Sequence, residues 1–293
     1  YNLLHLNALY DLENQLYLDA VIQNVREEHE SRALVELVDR SRLKEPVIMI
    51  ADRGYEAYNN IAHIEQKNWN YLIRAKEKRG ILSGLKLPDT PEFDVAFSYF
   101  LSKRLTNRIR REPQKYRWIP SKVRFDYIKN ASDVLYPISF RVVRFAVKEG
   151  LYETVITNLP PDRFPPPLLR ALYHKRWGIE TSFRDLKYTL ALTHFHAKKR
   201  PFIEQEIFAK MTLYNFASLI RLHAVFKQPE SRHLYRINAA FATHIAREFL
   251  LGFVPAAIIE PLIAKFLLPV RPGLQKPRNM RVKRPASFQY RMI

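Results

Sequence analysis

The sequence predicts an α/β protein, and three observations carry that prediction. β-type runs and an amphipathic helical stretch alternate through the first 77 residues, as in chains that build a sheet flanked by helices. Val47-Ile48-Met49-Ile50-Ala51 is an unbroken apolar run, which reads as a strand buried on both faces of a parallel or mixed sheet. Long helical periodicity then returns after residue 165, beyond a β-rich middle.

Taken in order, residues 2–10 and 16–23 are β-rich and are separated by Asp11-Leu12-Glu13-Asn14-Gln15, so they read as a hairpin. Residues 26–40 form an amphipathic helix with Ala33, Leu34, Leu37 and Val38 on one side. The apolar run at 47–51 ends at Asp52-Arg53-Gly54, a helix spans about 55–67, and Tyr71-Leu72-Ile73-Arg74 is a further short strand. From about 78 to 165 the β-type runs at 93–101, 122–128, 137–147 and 151–157 suggest an inserted, mainly antiparallel β subdomain. A single long helix is expected over 167–192, another over about 202–224, and more helix over 237–267. Residues 271–293 hold seven Lys/Arg, three prolines and no acid, which predicts an extended basic tail.

The charge balance narrows the partners. Lys and Arg number 48 against 29 Asp and Glu, a formal net charge of +19. With 47% apolar residues this is a chain able to bury a core, so the charge belongs to a folded surface. Such a surface calls for a polyanion, and nucleic acid rewards many dispersed cations best. The basic tracts at 103–124, 198–200 and 271–291 are candidate backbone contacts, or else solvated charged loops. There is no cysteine, which excludes disulfides and thiolate metal sites and allows a reducing cytoplasm. No apolar run reaches the roughly 18 residues of a membrane span, and no signal peptide is visible. The chain opens at Tyr1 in what already reads as strand, so an N-terminal portion is expected to precede it.

The helix at 167–192 carries the candidate chemistry. Plotted at roughly 100° per residue, Leu172, Ile179, Phe183, Leu186 and Leu190 form a core stripe. Tyr173, Arg176, Glu180 and Lys187 share a sector of roughly 60° beside it, and Arg184 joins them. This is either a salt-bridged amphipathic surface or a charged site. Asp52 directly follows a strand, where α/β sheets place ligand and metal carboxylates, or else it is an ordinary helix N-cap.

These residues resemble a known family. Tyr173-x2-Arg176-x3-Glu180-x6-Lys187 is similar to the Y-x2-R-x3-E-x6-K signature of the insertion-sequence-four family of DDE transposases. Ile50-Ala51-Asp52-Arg53-Gly54-Tyr55 resembles the second acidic motif of that family. Thr157-Asn158-Leu159, Leu186-Lys187, Phe195-His196-Ala197-Lys198-Lys199, Gln205-Glu206 and Tyr214-Asn215 resemble its flanking context. The resemblance covers roughly residues 1–225.

The resemblance implies a ribonuclease-H-like mixed sheet flanked by helices, with an inserted antiparallel β subdomain and a helical C-terminal extension. The expected divisions are a core at 1–77 lacking its first strand, the insertion at 78–165, core helices with the signature at 166–225, a helical region at 226–270 and a basic tail at 271–293. It implies three metal-binding carboxylates, with Asp52 as the second and Glu180 as the third. The first belongs in an Asp-Gly motif upstream of the hairpin. No Asp-Gly occurs in the sequence, so the chain alone is expected to be catalytically incomplete, with a gap in the sheet between the strands at 2–10 and 47–51. Asp11 reads as a turn residue, and Asp19 lies in the third strand away from the expected site.

The implied cofactor is Mg²⁺, for which Mn²⁺ could substitute. The implied partners are double-stranded DNA, at transposon ends and target, and a second copy of the chain in a synaptic dimer. The implied location is the bacterial cytoplasm, at the nucleoid. Arg176, Lys187, Arg184, Lys198 and Lys199 would grip phosphates and Tyr173 would hydrogen-bond a phosphate oxygen. Tyr152 is a candidate to stack an extruded base, with Trp118 as an alternative. His194 and His196 form an H-x-H pair read as a helix-end or phosphate contact. Two other functions remain open: a DNA-binding transposase remnant, and a ribonuclease-H-like nuclease without strand transfer.

Overall fold

A computed structural model of the chain describes residues 4–24, 29–77 and 79–270, so the expected basic tail at 271–293 lies outside the described residues. The observed class is α/β. Among the described residues the chain divides into two compact units. A sheet unit holds residues 4–7 and 23–176, and a helical unit holds residues 8–22 and 177–270. These divisions do not coincide with the boundaries at 77/78 and 165/166 drawn from sequence.

The sheet unit is organised by six strands: β3 (Ile48–Ala51), β4 (Asn70–Arg74), β5 (Phe93–Ser102), β6 (Tyr116–Trp118), β7 (Tyr136–Lys148) and β8 (Leu151–Thr157), in the order β3-β4-β8-β7-β5-β6. β3 and β4 are parallel, β4 to β8, β8 to β7 and β7 to β5 are antiparallel, and β5 to β6 is parallel. The β-rich stretch expected as an inserted subdomain therefore continues the same sheet, through the pairing of Ile73 with Ile156.

Alternation along the central strands explains why both faces are covered. Tyr71, Ile73, Val142 and Ile156 enter one apolar cluster together with Leu34 and Val38 of α1 (Glu30–Arg40) and Ile61 and Ile64 of α2 (Tyr58–Gln66). Leu72, Val143 and Val155 enter the other, beneath Leu169 and Tyr173 of α4 (Pro166–His174). The strand buried on both faces is thus β4, whose Tyr71, Leu72 and Ile73 have no exposure. β3, expected in that role, is an edge strand with Ile48, Met49 and Ile50 only half-buried, because it has a neighbour on one side alone.

One expectation in the middle of the chain fails for an identifiable reason, and two short elements there went unpredicted. Residues 122–128 are turns, and their apolar alternation arises because Phe125 and Ile128 plug the core from a loop. That loop is held by Asn59, whose side-chain oxygen accepts from the Asp126 amide at 2.8 Å. The short helix α3 (Asn107–Arg111), capped by Thr106 accepting from the Ile109 amide, and β6 are too brief for periodicity to reveal.

β1 (Leu4–Asp11) and β2 (Leu16–Asn24) form the expected hairpin, a separate two-stranded sheet. Its turn is set by Asp11, whose carboxylate accepts from the amides of Glu13 and Asn14 at 2.9 and 3.1 Å. Gln15 completes the turn with φ 55°. Asp11 is therefore the turn residue its type favours.

The helix expected over 167–192 is two helices. α4 ends at His174 and α5 runs Trp177–Tyr188. Between them the Lys175 and Arg176 amides bond the Leu172 and Tyr173 carbonyls, three residues back, which tightens the turn and stops the α-helical ladder. No proline or left-handed residue lies at the break, so its sequence looks like uninterrupted helix. The division between the two units falls there, between Arg176 and Trp177.

The rest of the helical unit is α6 (Arg200–His223), α7 (Ala239–Leu250) and α8 (Ala256–Lys265), with a short antiparallel ribbon of β9 (Tyr235–Ile237) and β10 (Leu267–Pro269). Its C-terminal part has its own small core of Ile237, Ala242, Ile245, Ile259 and Ile263. The hairpin's turn-side half is fastened to α6 by Asn215. The Asn215 side chain accepts from the Tyr17 amide and donates to the Tyr17 carbonyl, both at 2.8 Å, like a neighbouring strand.

Candidate functional site

Asp52 stands at the end of β3, where the strand hands over to a 3-10 turn over Arg53–Tyr55. Its backbone carbonyl accepts from the Tyr55 amide at 3.0 Å, while its side chain makes no capping bond. The carboxylate is therefore not employed as a helix cap. It accepts instead from the Tyr173 hydroxyl, at 3.4 Å.

Tyr173 is 3% exposed, with its ring among Leu72, Val143, Val155, Leu159 and Leu169. Burial pushes its hydroxyl up to about 12, opposed by the Arg176 charge and reinforced by Asp52, so near neutral pH it stays protonated and donates. The Arg176 guanidinium lies 5.8 Å from the centre of the same ring. The ring is thus buried while the hydroxyl lies at the Asp52 carboxylate.

Two glutamates that motif reading passed over lie against the turn after Asp52. Glu56 is buried and its carboxylate accepts from the amides of Lys76 and Ile81, each at 2.6 Å. Burial raises its pKa and those backbone bonds oppose the rise. Glu30, at the start of α1, lies against Gly54: a Cβ there would meet the Glu30 carboxylate at 2.6 Å. Gly54 thus serves a close approach by a side chain of the protein itself, and its φ lies outside the left-handed region. Glu30 and Asp52 flank Tyr55, whose hydroxyl burial pushes up to about 12, with both carboxylates adding to the rise.

A second polar knot lies in the same unit. His63 has one ring nitrogen 2.8 Å from Asp39 and the other 3.0 Å from Asp126. Burial pushes Asp126 up, but hydrogen bonds from Arg124, Asn59 and His63 hold it well below the usual carboxylate range. With Phe125 and Ile128 in the core, this knot pins the 122–128 loop.

In the helical unit Glu180, Arg184 and Lys187 are exposed along α5, and Ser182 and Leu186 are its buried residues. Ser182 receives the Tyr17 hydroxyl at 2.7 Å while donating to the Ile179 carbonyl. The face expected to carry four residues of one helix is thus split: Tyr173 and Arg176 end the sheet unit, and Glu180 and Lys187 belong to the helical unit. The carboxylate gathered with Tyr173 is Asp52.

The loop between α5 and α6 is tied down from α6. Lys210 donates to the carbonyls of Ala191 and His194 at 2.7 and 2.8 Å, and Glu206 accepts from the amides of His196 and Ala197. Lys198 and Lys199 follow, both exposed. Among the described residues no three His, Cys, Asp or Glu side chains come together as a group able to hold a metal ion, the His194–His196 pair included. Tyr152 is half-buried with the Arg144 guanidinium 5.2 Å from its ring centre, whereas Trp118 is 45% exposed at the sheet edge. Asp19 accepts from the Ala20 amide at 2.7 Å.

An α/β fold with an acidic residue at a strand end, a strongly basic chain and the quoted motifs fits a protein that works on nucleic acid. Residues 1–216 match the family model described as transposase DDE domain, which is most of the chain. The protein belongs to the transposase DDE domain family, whose function is DNA transposition and whose members generally use divalent metals. No curated protein matches the chain. No helix among the described residues is long and apolar enough to cross a membrane.

Proposed function

We propose that this chain is the catalytic domain of a cut-and-paste transposase of the insertion-sequence-four type, acting on DNA ends by divalent-metal-dependent cleavage and strand transfer. The observation that carries the reading is Asp52 at the end of β3 with its carboxylate unused as a cap, inside a match to the DDE family. Asp52 and Glu180 are the candidate metal-binding carboxylates. Both offer hard oxygen donors, which suit Mg²⁺ or Mn²⁺. A bound divalent cation would neutralise charge at the scissile phosphate and favour attack by the incoming oxygen.

The remaining tasks fall to side chains of this chain. Arg176 would hold a phosphate oxygen pair bidentately, as its planar fork allows. The exposed Lys187, Arg184, Lys198 and Lys199 would neutralise backbone phosphates and set the register of the duplex. An extruded base would stack on Tyr152 after Arg144 leaves its ring, or on Trp118, which is already accessible. Two copies would bring two ends together in one complex. The catalytic set is expected to need one more carboxylate beyond Asp52 and Glu180, by the same family resemblance.

The test is an end-cleavage and joining assay with Mg²⁺ on a full-length version that carries the further carboxylate, using the DNA that flanks the coding sequence as substrate. The expected result is cleavage followed by joining, both lost in Asp52→Asn and in Glu180→Gln with DNA binding retained. Cleavage without joining would assign a nuclease. Binding without cleavage would assign a DNA-binding remnant. Full activity in Glu180→Gln would remove α5 from the site.

A further inference from the structure

We propose that the open face of the sheet at its β5–β6 edge is a binding platform for unpaired DNA, on which the Phe100 and Trp118 rings each stack a base. Of the reading above it uses only that the chain acts on DNA. It needs neither Asp52, nor Glu180, nor a metal ion.

The face follows from strand alternation. Asp94 pairs with Val143, whose side chain lies in the cluster beneath α4. Ladder partners share a face, and so does every second residue along a strand. Ala96, Ser98 and Phe100 therefore stand on the face that α4 covers over β4, β8 and β7. Toward β6 that cover ends: Ala96, Ser98, Phe100 and Ser139 are all exposed. Tyr116 pairs with Phe100 and Trp118 with Ser102, which puts both rings of β6 on this face too. The floor is made of small residues, with the Ser98 and Ser139 hydroxyls bonded to each other at 2.9 Å. Beside it stand two large rings, Phe100 at 37% and Trp118 at 45% exposure. Apolar rings left in water on one sheet face mark a surface for a partner.

Charge selects that partner. Residues 103–124 carry nine Lys/Arg and one acid. Four of the nine are occupied elsewhere: Lys103 donates to the Val123 carbonyl, Arg104 pairs with Asp133, Arg124 pairs with Asp126, and Arg117 lies over Tyr99 on the opposite face. Arg108 and Lys115 are placed on the platform itself. Their charged groups lie 5.3 and 5.6 Å from the centre of the Tyr116 ring, which is 6.1 Å from that of Phe100. α3 adds the exposed Arg110 and Arg111, and the single acid, Glu112, is 3.6 Å from Arg108. A cationic, aromatic surface distinguishes an unpaired strand from a duplex. A duplex hides its base faces in its own stack and presents phosphates, whereas an unpaired strand presents phosphates and base faces together.

The experiment is fluorescence anisotropy of a labelled oligothymidylate and of a labelled duplex of the same length, with the whole chain and a chelator in place of metal. Wild type is expected to bind the single strand. Trp118→Ala is expected to weaken that binding by at least about 5-fold, the lower end of what one stacked base contributes, with duplex affinity unchanged. Trp118→Phe keeps a ring and is expected to restore most of the loss. Lys115→Ala is expected to lower the salt slope by about 0.7 for the single strand and about 0.9 for the duplex. An equal loss on both probes in Trp118→Ala would make Trp118 a backbone or packing contact and overturn the proposal. So would a loss in Trp118→Phe as large as in Trp118→Ala, because the ring would then not be what binds. Single-strand affinity unchanged in both Trp118→Ala and Phe100→Ala, or a wild type that binds the duplex alone, would overturn it as well. A salt slope unchanged in Lys115→Ala would take the cations off the platform and overturn it too. None of these results bears on cleavage, so the platform and the catalytic reading fail separately.

Discussion

The charged groups singled out in the sheet unit and those singled out in the helical unit are placed in opposite ways. In the sheet unit the telling charged groups are drawn inward and satisfied. Glu56 is capped by two amides, His63 sits between Asp39 and Asp126, and Arg141 is buried against Asp94 and the Leu159 carbonyl. In the helical unit the candidate groups Glu180, Arg184, Lys187, Lys198 and Lys199 all face solvent. The lesson is a division of labour. The Glu56 carboxylate fixes the segment after Asp52 through the Lys76 and Ile81 amides, whereas an exposed cationic surface trades rigidity for reach along a charged partner.

That contrast can be broken most severely at Glu56. Glu56→Ala strands the buried Ile81 amide and the half-buried Lys76 amide, and is expected to destabilise the protein by about 3 kcal/mol in chemical denaturation. A loss under 1 kcal/mol would mean that the carboxylate does not hold the loop. Gly80 is the partner position. It has φ +63°, and a Cβ there would meet Glu56 Oε1 at 2.5 Å, so Gly80→Ala is expected to cost about 2 kcal/mol. Part of that cost should vanish in the Glu56→Ala background, because the clash disappears while the backbone strain stays.

Asn215→Ala tests the helical unit in the same terms. It removes both bonds to the Tyr17 backbone and is expected to cost about 1–2 kcal/mol. Hydrogen exchange should quicken at the Tyr17 amide first. Glu65 gives the pH dependence. Burial raises its pKa to about 7 from the ordinary carboxylate value of 4.5, with the Tyr71 hydroxyl bond opposing. The folded state thus holds this proton more tightly than the unfolded chain. Stability from this group is complete below pH 4.5 and declines as pH rises to about 7. Glu65→Gln should raise the thermal midpoint at pH 8 and leave it unchanged at pH 4. The smallest stability effect belongs to the exposed face: Arg184→Ala and Lys187→Ala should stay within about 0.5 kcal/mol of wild type. Each should nevertheless reduce the salt dependence of DNA binding by about one unit of slope.

How far the sequence reached depended on how local the signal was. The hairpin, α1, α2, β4, β5, β7, β8 and α6 lie close to where periodicity put them, because each repeats an apolar position often enough to reveal its period. The 122–128 loop misled because Phe125 and Ile128 alternate like a strand while serving as plugs. The break at Lys175–Arg176 was invisible because no residue type there forbids a helix. Within the candidate site, Asp52 was legible from its place after an apolar run. Glu30 and Glu56 were not, since what matters about them is which distant amide or glycine they meet.

By itself the sequence determined the α/β class, the basic character that demands a polyanion, and the motifs that the DDE family match bears out at the level of the family. These are properties of residue type and spacing, which survive without coordinates. Only the tertiary structure decided that β4 and not β3 is the strand covered on both faces, and that the signature is shared by two helices. It also decided that Tyr173 turns its hydroxyl to Asp52, 121 residues away. Burial and long-range hydrogen bonding depend on which segments meet, and no local pattern encodes the partner of a buried hydroxyl.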